Sequence, residues 1–182
     1  MNRLALKRKY VPGFTVIELM LTIAVAGVIL SLGVPSFIGL VERNQLTSGI
    51  NEFISSMSLA RSEAIKRNQR VSICPSSNGE TCAGNQYENG WIIYVDRNSN
   101  GSRQTGSEEL IWVSDALPER MTLRGDGCCG NSIPYLASGQ ISGIAGNIHL
   151  CKENDADRSR KITINTFGRA RLDSAGSDDC AT

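Results

Sequence analysis

The most marked pattern in the chain is a long run of apolar residues near its N-terminus. From Leu19 to Val41, 23 consecutive residues carry no charge, which is enough to span the ~30 Å hydrocarbon core of a bilayer as a helix. Residues 1–13 contain four basic residues and no acidic one. Because the positive flank precedes the run, we predict a single-pass helix with a cytoplasmic N-terminus and a periplasmic remainder.

Beyond Val41 the apolar positions recur at steps of three and four, which is typical of an amphipathic helix. They are Leu46, Ile50, Phe53, Ile54, Met57, Ala60 and Ala64. The pattern predicts one helix from Phe14 to about Gln69, with its second half packed against a β-domain. Pro35 lacks an N–H for the carbonyl of Ser31, so it should kink the helix or melt it locally.

From residue 71 onward the pattern changes to short apolar segments separated by Gly, Asn and Ser, which indicates strands and turns. The predicted strands are residues 71–74, 91–95, 109–113, 120–124, 147–151, 161–165 and 168–172. A long helix followed only by strands predicts an α+β fold, in which the N-terminal helix packs on an antiparallel sheet.

The cysteines indicate disulfides in an oxidising compartment, because an even number occurs in a small exported chain. They are Cys74, Cys82, Cys128, Cys129, Cys151 and Cys180. Cys74 and Cys82 are close enough to close one loop, and Cys180 is expected to tie the C-terminal tail to Cys151 or to one of the adjacent pair. The sequence does not select among the possible pairings. No Cys-x-x-Cys pair occurs and His149 is the only histidine, which argues against zinc.

The net charge of the chain is too low for it to attract polyanions through its overall electrostatic field. The formal net charge of +1 becomes −3 without residues 1–13, since 15 basic and 18 acidic residues remain. A polyanion would therefore need a local basic patch. The chain also has no nucleophile motif, phosphate loop or metal-ligand spacing, so we predict that it is not an enzyme and needs no cofactor.

One loop begins like a calcium-binding loop. Asp96, Asn98 and Asn100 precede Gly101 in the spacing of the Asp-x-Asn-x-Asn-Gly pattern. The closing glutamate should stand at position 107, which is Ser107, and Glu108 comes one residue late. We favour a strand connection held by Asx-type hydrogen bonds over a weak calcium site.

A basic cluster near the C-terminus is the candidate binding site. It comprises Arg158, Arg160, Lys161, Arg169 and Arg171, and no acidic residue lies between positions 158 and 172. In an extended segment Arg169 and Arg171 would lie on one side, about 7 Å apart, and Gly168 lets another backbone come close. Such a pair suits the phosphates of a nucleic acid. The alternatives are a solvated edge strand protected by its charge and a contact with an acidic neighbour.

The segment from Gly13 to Leu19, GFTVIEL, resembles the type IV prepilin motif. The resemblance implies that a prepilin peptidase cleaves between Gly13 and Phe14 and methylates the new amine of Phe14. It also implies that Glu18 meets the Phe14 amine of a neighbouring subunit, which would offset the cost of a carboxylate in lipid. Pro35 would then soften the helix during assembly. The corresponding domains are a leader (1–13), a membrane and polymerisation half-helix (14–41) and a head (42–182).

Further segments are similar to the GspH/FimT family of minor pilins and pseudopilins. They are Ala60–Asn68, Asn89–Trp91 and the Asn/Gly-rich hairpin that follows. The resemblance implies the type IV pilin fold and assembly with other pilins. Gly168–Arg171 also matches the Gly-Arg-x-Arg motif of the DNA-binding FimT members, which implies nonspecific DNA binding during natural transformation. The alternatives are a minor pilin that primes pilus assembly without DNA, or a type II secretion pseudopilin.

Overall fold

The computed structural model describes residues 13–152 and 155–174. Its first element is a single long helix, α1, which runs from Val16 to Arg67. The predicted helix from Phe14 to about Gln69 is thus confirmed, with ends that differ by two residues. The helix assignment continues through Pro35, and the expected kink or softening there stays a prediction. Losing one backbone hydrogen bond is not enough to end a helix of this length.

The contacts divide the chain into two compact units, Met1–Val41 and Glu42–Thr182. In the first unit the apolar side chains of the described helix are exposed, including Leu32 at 74 % and Phe37 at 65 %. Such a surface is unfavourable in water, and α1 is long and apolar enough to cross a membrane. The buried core of the described residues begins at Leu46 and therefore lies entirely in the second unit, which we call the head.

The described residues of the head form eight strands in two antiparallel sheets. The strands are β1 (Val71–Pro75), β2 (Trp91–Val95), β3 (Leu110–Ser114), β4 (Met121–Gly125), β5 (Ile133–Tyr135), β6 (Gly146–Lys152), β7 (Asp155–Ile164) and β8 (Ala170–Ser174). The first sheet has the order β3-β2-β1-β5 and the second the order β4-β6-β7-β8. Seven strands were predicted from the sequence. The eighth, β5, has only three residues around a proline, which is too short to give an alternating pattern.

Both sheets contribute to one core with the second half of α1. Phe53 of the helix packs edge-on against the rings of Tyr87 and Trp91, at centroid distances of 5.3 and 5.1 Å. The buried indole of Trp91 donates a hydrogen bond to the hydroxyl of Ser56 at 2.9 Å. The predicted apolar stripe of the helix, from Leu46 to Ala64, is the surface that joins this core.

In the first sheet β1, β2 and β5 are buried on both faces, whereas the edge strand β3 is partly exposed. Alternate strand residues Cys74, Ile92 and Tyr94 form a separate small core, against which Cys82 and Leu110 pack. A disulfide joins Cys74 to Cys82 and pins the loop between them to the sheet. The predicted closure of this loop is therefore confirmed.

Three further cysteines among the described residues are also disulfide-bonded. Cys128 is joined to the adjacent Cys129 in a short 3-10 helix. Cys151 is disulfide-bonded as well, and Cys180 lies outside the described residues. Because Cys128 and Cys129 are joined to each other, the alternative that Cys180 pairs with one of them is wrong, and the pairing of Cys180 with Cys151 stays a prediction.

Candidate functional site

The start of α1 has a local structure that the motif alone did not reveal. The backbone N–H of Glu18 donates a hydrogen bond to the hydroxyl of Thr15 at 3.3 Å, so Thr15 caps the helix. Glu18 lies in the first turn, where a carboxylate favours the positive end of the helix dipole. Glu18 and Phe14 are both exposed. Residues 1–12 of the expected leader lie outside the described part of the chain.

The loop after β2 is held by its own hydrogen bonds. The side-chain oxygens of Asn98 and Asn100 accept the N–H groups of Asn100 and Ser102 at 3.0 and 2.9 Å. Asp96 is buried and accepts a hydrogen bond from the hydroxyl of Ser72 at 2.9 Å. These contacts are typical of Asx turns.

Glu108 completes this loop. Its buried carboxylate accepts hydrogen bonds from the backbone N–H groups of Arg97, Asn98 and Gln104. Burial and the nearby carboxylates of Asp96 and Glu108 raise the pKa of the Tyr94 phenol beneath the loop. Within the described ranges, no three Asp, Glu, His or Cys side chains are grouped so as to hold a metal ion. The side-chain oxygens of Asn98 and Asn100 thus serve the loop, and the weak calcium site stays a prediction.

The predicted basic cluster is divided between two faces of the second sheet. Arg160 and Lys161 are adjacent in β7 and therefore lie on opposite faces. Lys161 is in register with Asp173 of β8, whereas Arg160 is in register with the buried Leu150 of β6. Arg158 lies in β7 as well. A strand places every second residue on each face, so five nearby cations in the sequence do not form one patch.

Arg171 has an acidic partner that lies just beyond the acid-free range noted in the sequence. Its Nε atom is 3.1 Å from Oδ1 of Asp173, and its side chain is 82 % exposed. Residues two apart on a strand lie on the same face. Any anion that binds Arg171 must therefore compete with this carboxylate.

Arg169 lies in the turn between β7 and β8, and Gly168 fixes the shape of that turn. Gly168 has a φ of +72°, and a Cβ atom there would be 2.3 Å from the carbonyl oxygen of Gly139. Its N–H donates to the carbonyl of Asn165 at 2.9 Å, and the Asn165 side chain accepts the N–H of Arg169 at 3.0 Å. Only glycine combines this backbone conformation with so close an approach.

The turn forms one wall of a groove of about 520 Å³ whose other wall is α1. Its lining includes Ser58, Ser62 and Tyr135 as hydroxyl-bearing residues and Arg61 and Arg169 as the charged residues, and the remaining residues are apolar or glycine. We call this space the Arg61–Arg169 groove. Arg61 is held by a hydrogen bond from its Nε to the carbonyl oxygen of Gly139 at 2.9 Å. The motifs identified in the sequence do not mark Arg61 as a site residue.

The other basic residues at the helix end are already neutralised. Lys66 and Arg67 lie 3.3 and 2.5 Å from Glu63, and Arg70 lies 3.0 Å from Asp96. The hydrogen bond from Arg67 lowers the pKa of Glu63 despite some desolvation. Arg61 differs, since no salt bridge to it occurs in the described part of the chain.

A contact between a histidine and an aspartate joins β6 to the segment that follows β4. His149 is flanked in register by Arg124 of β4 and Lys161 of β7, and its Nε2 is 3.3 Å from Oδ2 of Asp126. Burial alone would raise the pKa of Asp126, but hydrogen bonds from Asn147 and His149 outweigh it and lower the pKa. This contact ties the Cys128–Cys129 turn to β6.

Comparison with known proteins agrees with this architecture. A sequence profile described as "Type II transport protein GspH" matches residues 49–168. The chain is 32 % identical over 174 residues to "Pilin-like protein PilA1" of Thermus thermophilus, covering 88 % of this chain and 97 % of that protein.

Two solved structures share the fold. The type IV minor pilin FimU of Pseudomonas aeruginosa superposes with a TM-score of 0.57 at 21 % identity, covering 76 % of this chain and 94 % of FimU. The minor pseudopilin EpsH of Vibrio cholerae gives 0.50 at 14 % identity, covering 71 % of this chain and 97 % of EpsH. Together with the apolar helix, this similarity indicates a structural, membrane-anchored subunit with a periplasmic head. The chain belongs to the GspH/FimT family of minor pilins and pseudopilins.

Proposed function

We propose that this chain is a minor pilin of a type IV pilus and that it binds DNA through its β7–β8 turn during DNA uptake. The observation that carries the proposal is the position of Arg169. It is exposed, it stands on a turn fixed by Gly168, and no carboxylate pairs with it among the described residues. A guanidinium in these surroundings can bind phosphate oxygens through two parallel hydrogen bonds.

Arg171 and Lys161 supply secondary contacts. They lie on one face of the second sheet with Asp173, which pairs with Arg171 and is in register with Lys161. A phosphate must displace or outweigh this carboxylate, so Arg171 contributes less than Arg169. Contacts to phosphates carry no base information, and we expect no sequence preference.

The proposal is tested by measuring how a soluble head, residues 42–182, shifts duplex DNA over about 50–200 mM salt. The head contains the complete buried core of the described residues, from Leu46 onward. The parent should bind more weakly as salt rises. Replacing Arg169 and Arg171 together with alanine should remove most of the affinity and reduce the slope of log K against log salt by about 2.

A matched control removes the same charge elsewhere. Arg43 and Arg97 are exposed, and no side-chain contact ties either of them in the described structure. Their double alanine variant should bind DNA nearly as the parent does. Equal losses in the two variants would mean that net charge alone acts, and the proposed site would be wrong. A parent head that does not bind would leave the priming role as the better interpretation.

We also propose the processing and location that the N-terminal motif implies. The leader, residues 1–13, is removed between Gly13 and Phe14 by a prepilin peptidase, and the Phe14 amine is methylated. Residues 14–41 then anchor the subunit in the inner membrane, with the head in the periplasm, until the subunit enters a pilus. Mass spectrometry of the native protein should find N-methylated Phe14 at its start, and a chain that still begins at Met1 would refute this.

Glu18 is proposed to meet the Phe14 amine of a neighbouring subunit in the filament. Its side chain is exposed in the described chain, so it is free for such a contact, although its position in the first helical turn also stabilises the helix. Glu18→Gln removes the charge but keeps the size. It should abolish incorporation into filaments while the helix content measured by circular dichroism stays unchanged.

A pseudopilin of a type II secretion system is the second candidate, and the description of the matching GspH profile favours it. The two functions differ in partners. Deleting the gene should reduce piliation and DNA uptake if the chain serves a pilus, and should reduce protein secretion if it serves a pseudopilus.

A further inference from the structure

The Arg61–Arg169 groove has the features of a ligand site that the Gly-Arg-x-Arg motif does not include. Its two charged lining residues are both cationic, and neither forms a salt bridge in the part of the chain that is described. Ile54, Ile65 and Ala170 contribute apolar surface to the lining. A suitable occupant is therefore anionic at one end and apolar and flat at the other.

We infer that this groove binds an unpaired nucleotide of single-stranded DNA. Arg61 and Arg169 would share one backbone phosphate, and the attached base would lie on the apolar surface near Ile65. The inference rests on the proposed DNA binding and specifies the form of DNA that is preferred. A base enters such a groove only when it is not paired and stacked in a duplex.

Two observations, the groove volume and the exposed ring of Phe167, favour a nucleotide over other anions, and the preorganisation of Arg61 favours the binding of an anion in general. The groove volume of about 520 Å³ exceeds that of a bare phosphate and falls in the usual range for small-ligand sites. Arg61 is preorganised by its hydrogen bond to Gly139, which reduces the entropy lost on binding. Phe167, in the same turn as Arg169, is 60 % exposed, and exposed aromatic rings beside cations are typical stacking surfaces for single strands.

The test compares an oligothymidylate of about 12 nucleotides with a duplex of the same length, using fluorescence anisotropy and the soluble head. We expect the single strand to bind several-fold more tightly. Ile65→Glu places a carboxylate beside Arg61 and should weaken binding of the single strand roughly 10-fold or more, with a smaller effect on the duplex. Ile65 is 51 % exposed, so the head should still fold.

Ile144→Glu is the matched control, because Ile144 is 72 % exposed and does not line the groove. It should bind the single strand as the parent does. Arg61→Gln tests the cation itself and should lower the affinity for the strand, with thermal unfolding measured to show that the fold survives loss of the Gly139 contact. Phe167→Ala should cause a smaller loss.

The possible outcomes separate the two proposals. If the duplex binds through Arg169 but Ile65→Glu leaves the single strand unaffected, the groove inference is overturned and the proposed DNA binding stands. If only the single strand binds, and does so through Ile65 and Arg61, the inference stands and duplex binding is refuted. If neither binds, both are refuted. Equal competition by an oligoglutamate of the same charge would assign the groove to an acidic peptide of a neighbouring subunit and overturn the inference.

Discussion

Replacing Gly168 with alanine tests whether the β7–β8 turn is fixed by close contact. Gly168 has a φ of +72°, a conformation that costs an L-residue roughly 1–2 kcal/mol. An added Cβ would also lie 2.3 Å from the carbonyl oxygen of Gly139 and 3.0 Å from the ring of Tyr135. Such overpacking typically costs about 1–3 kcal/mol more.

Gly84 provides a control that separates the cost of the backbone conformation from the cost of the steric clash. Its φ is +65°, but nothing lies within 4 Å of a Cβ built on it. Gly84→Ala therefore carries the conformational cost without the clash, and both variants share the lower entropy of the unfolded chain. We expect Gly168→Ala to be less stable than Gly84→Ala by about 1–3 kcal/mol.

The assay is urea unfolding of the head followed by tryptophan fluorescence, since Trp91 is fully buried in the core and reports its loss. A stability difference should appear as a lower midpoint with an unchanged slope. Gly168→Ala should also weaken DNA binding, because Arg169 is the next residue in the turn. If both variants unfold at the same urea concentration, the Gly139 carbonyl is not a fixed obstacle and the reasoning is wrong.

Three further predictions concern the head. Replacing Cys74 and Cys82 together with alanine should lower the free energy of unfolding by roughly 2.5 kcal/mol on the chain-entropy account, as measured by urea unfolding of parent and variant without reductant, since a reductant would also open the disulfides of Cys128, Cys129 and Cys151. Ser56→Ala removes the acceptor of the buried Trp91 indole, so it should destabilise the head by about 1–3 kcal/mol, whereas Ser55→Ala on the exposed side should have little effect. The lowered pKa of Asp126 contributes stability that is fully present at pH values above the ordinary pKa of 3.8 and is lost as the pH falls through the lower pKa of the folded state. Asp126→Asn should therefore flatten the acid end of a plot of melting temperature against pH.

Much of the fold could be predicted because local patterns agree with it. The apolar stripe of the second half of α1 repeats with the helical period, and it is the surface that packs in the core. Seven strands alternate or are continuously apolar between turn residues, and each is present within a few residues of its expected place. The pairing of the strands into two sheets was not predicted, because it depends on contacts between residues that are distant in sequence.

The candidate site was predicted less completely. Spacing in the sequence identified Gly168, Arg169 and Arg171. The carboxylate of Asp173, which lies beside Arg171, falls just outside the acid-free range 158–172 and was therefore missed. Arg61 is more than 100 positions from Arg169 in the chain. A sequence pattern had no means of showing that the two line one groove.

The sequence by itself determined the features that depend on near neighbours: the membrane-length helix, the processing motif, and the order of helix and strands. It also offered the Cys74–Cys82 loop as one of the possible closures. The physical basis of these features is local, because hydrophobic length, helical period and short loop closure act within a few turns of chain. Only the tertiary structure decided which basic residues share a face, which have carboxylate partners and which meet across the groove. The packing of segments that are distant in sequence sets the distances between these charged side chains. Electrostatic contacts depend on those distances and not on the order of residues along the chain.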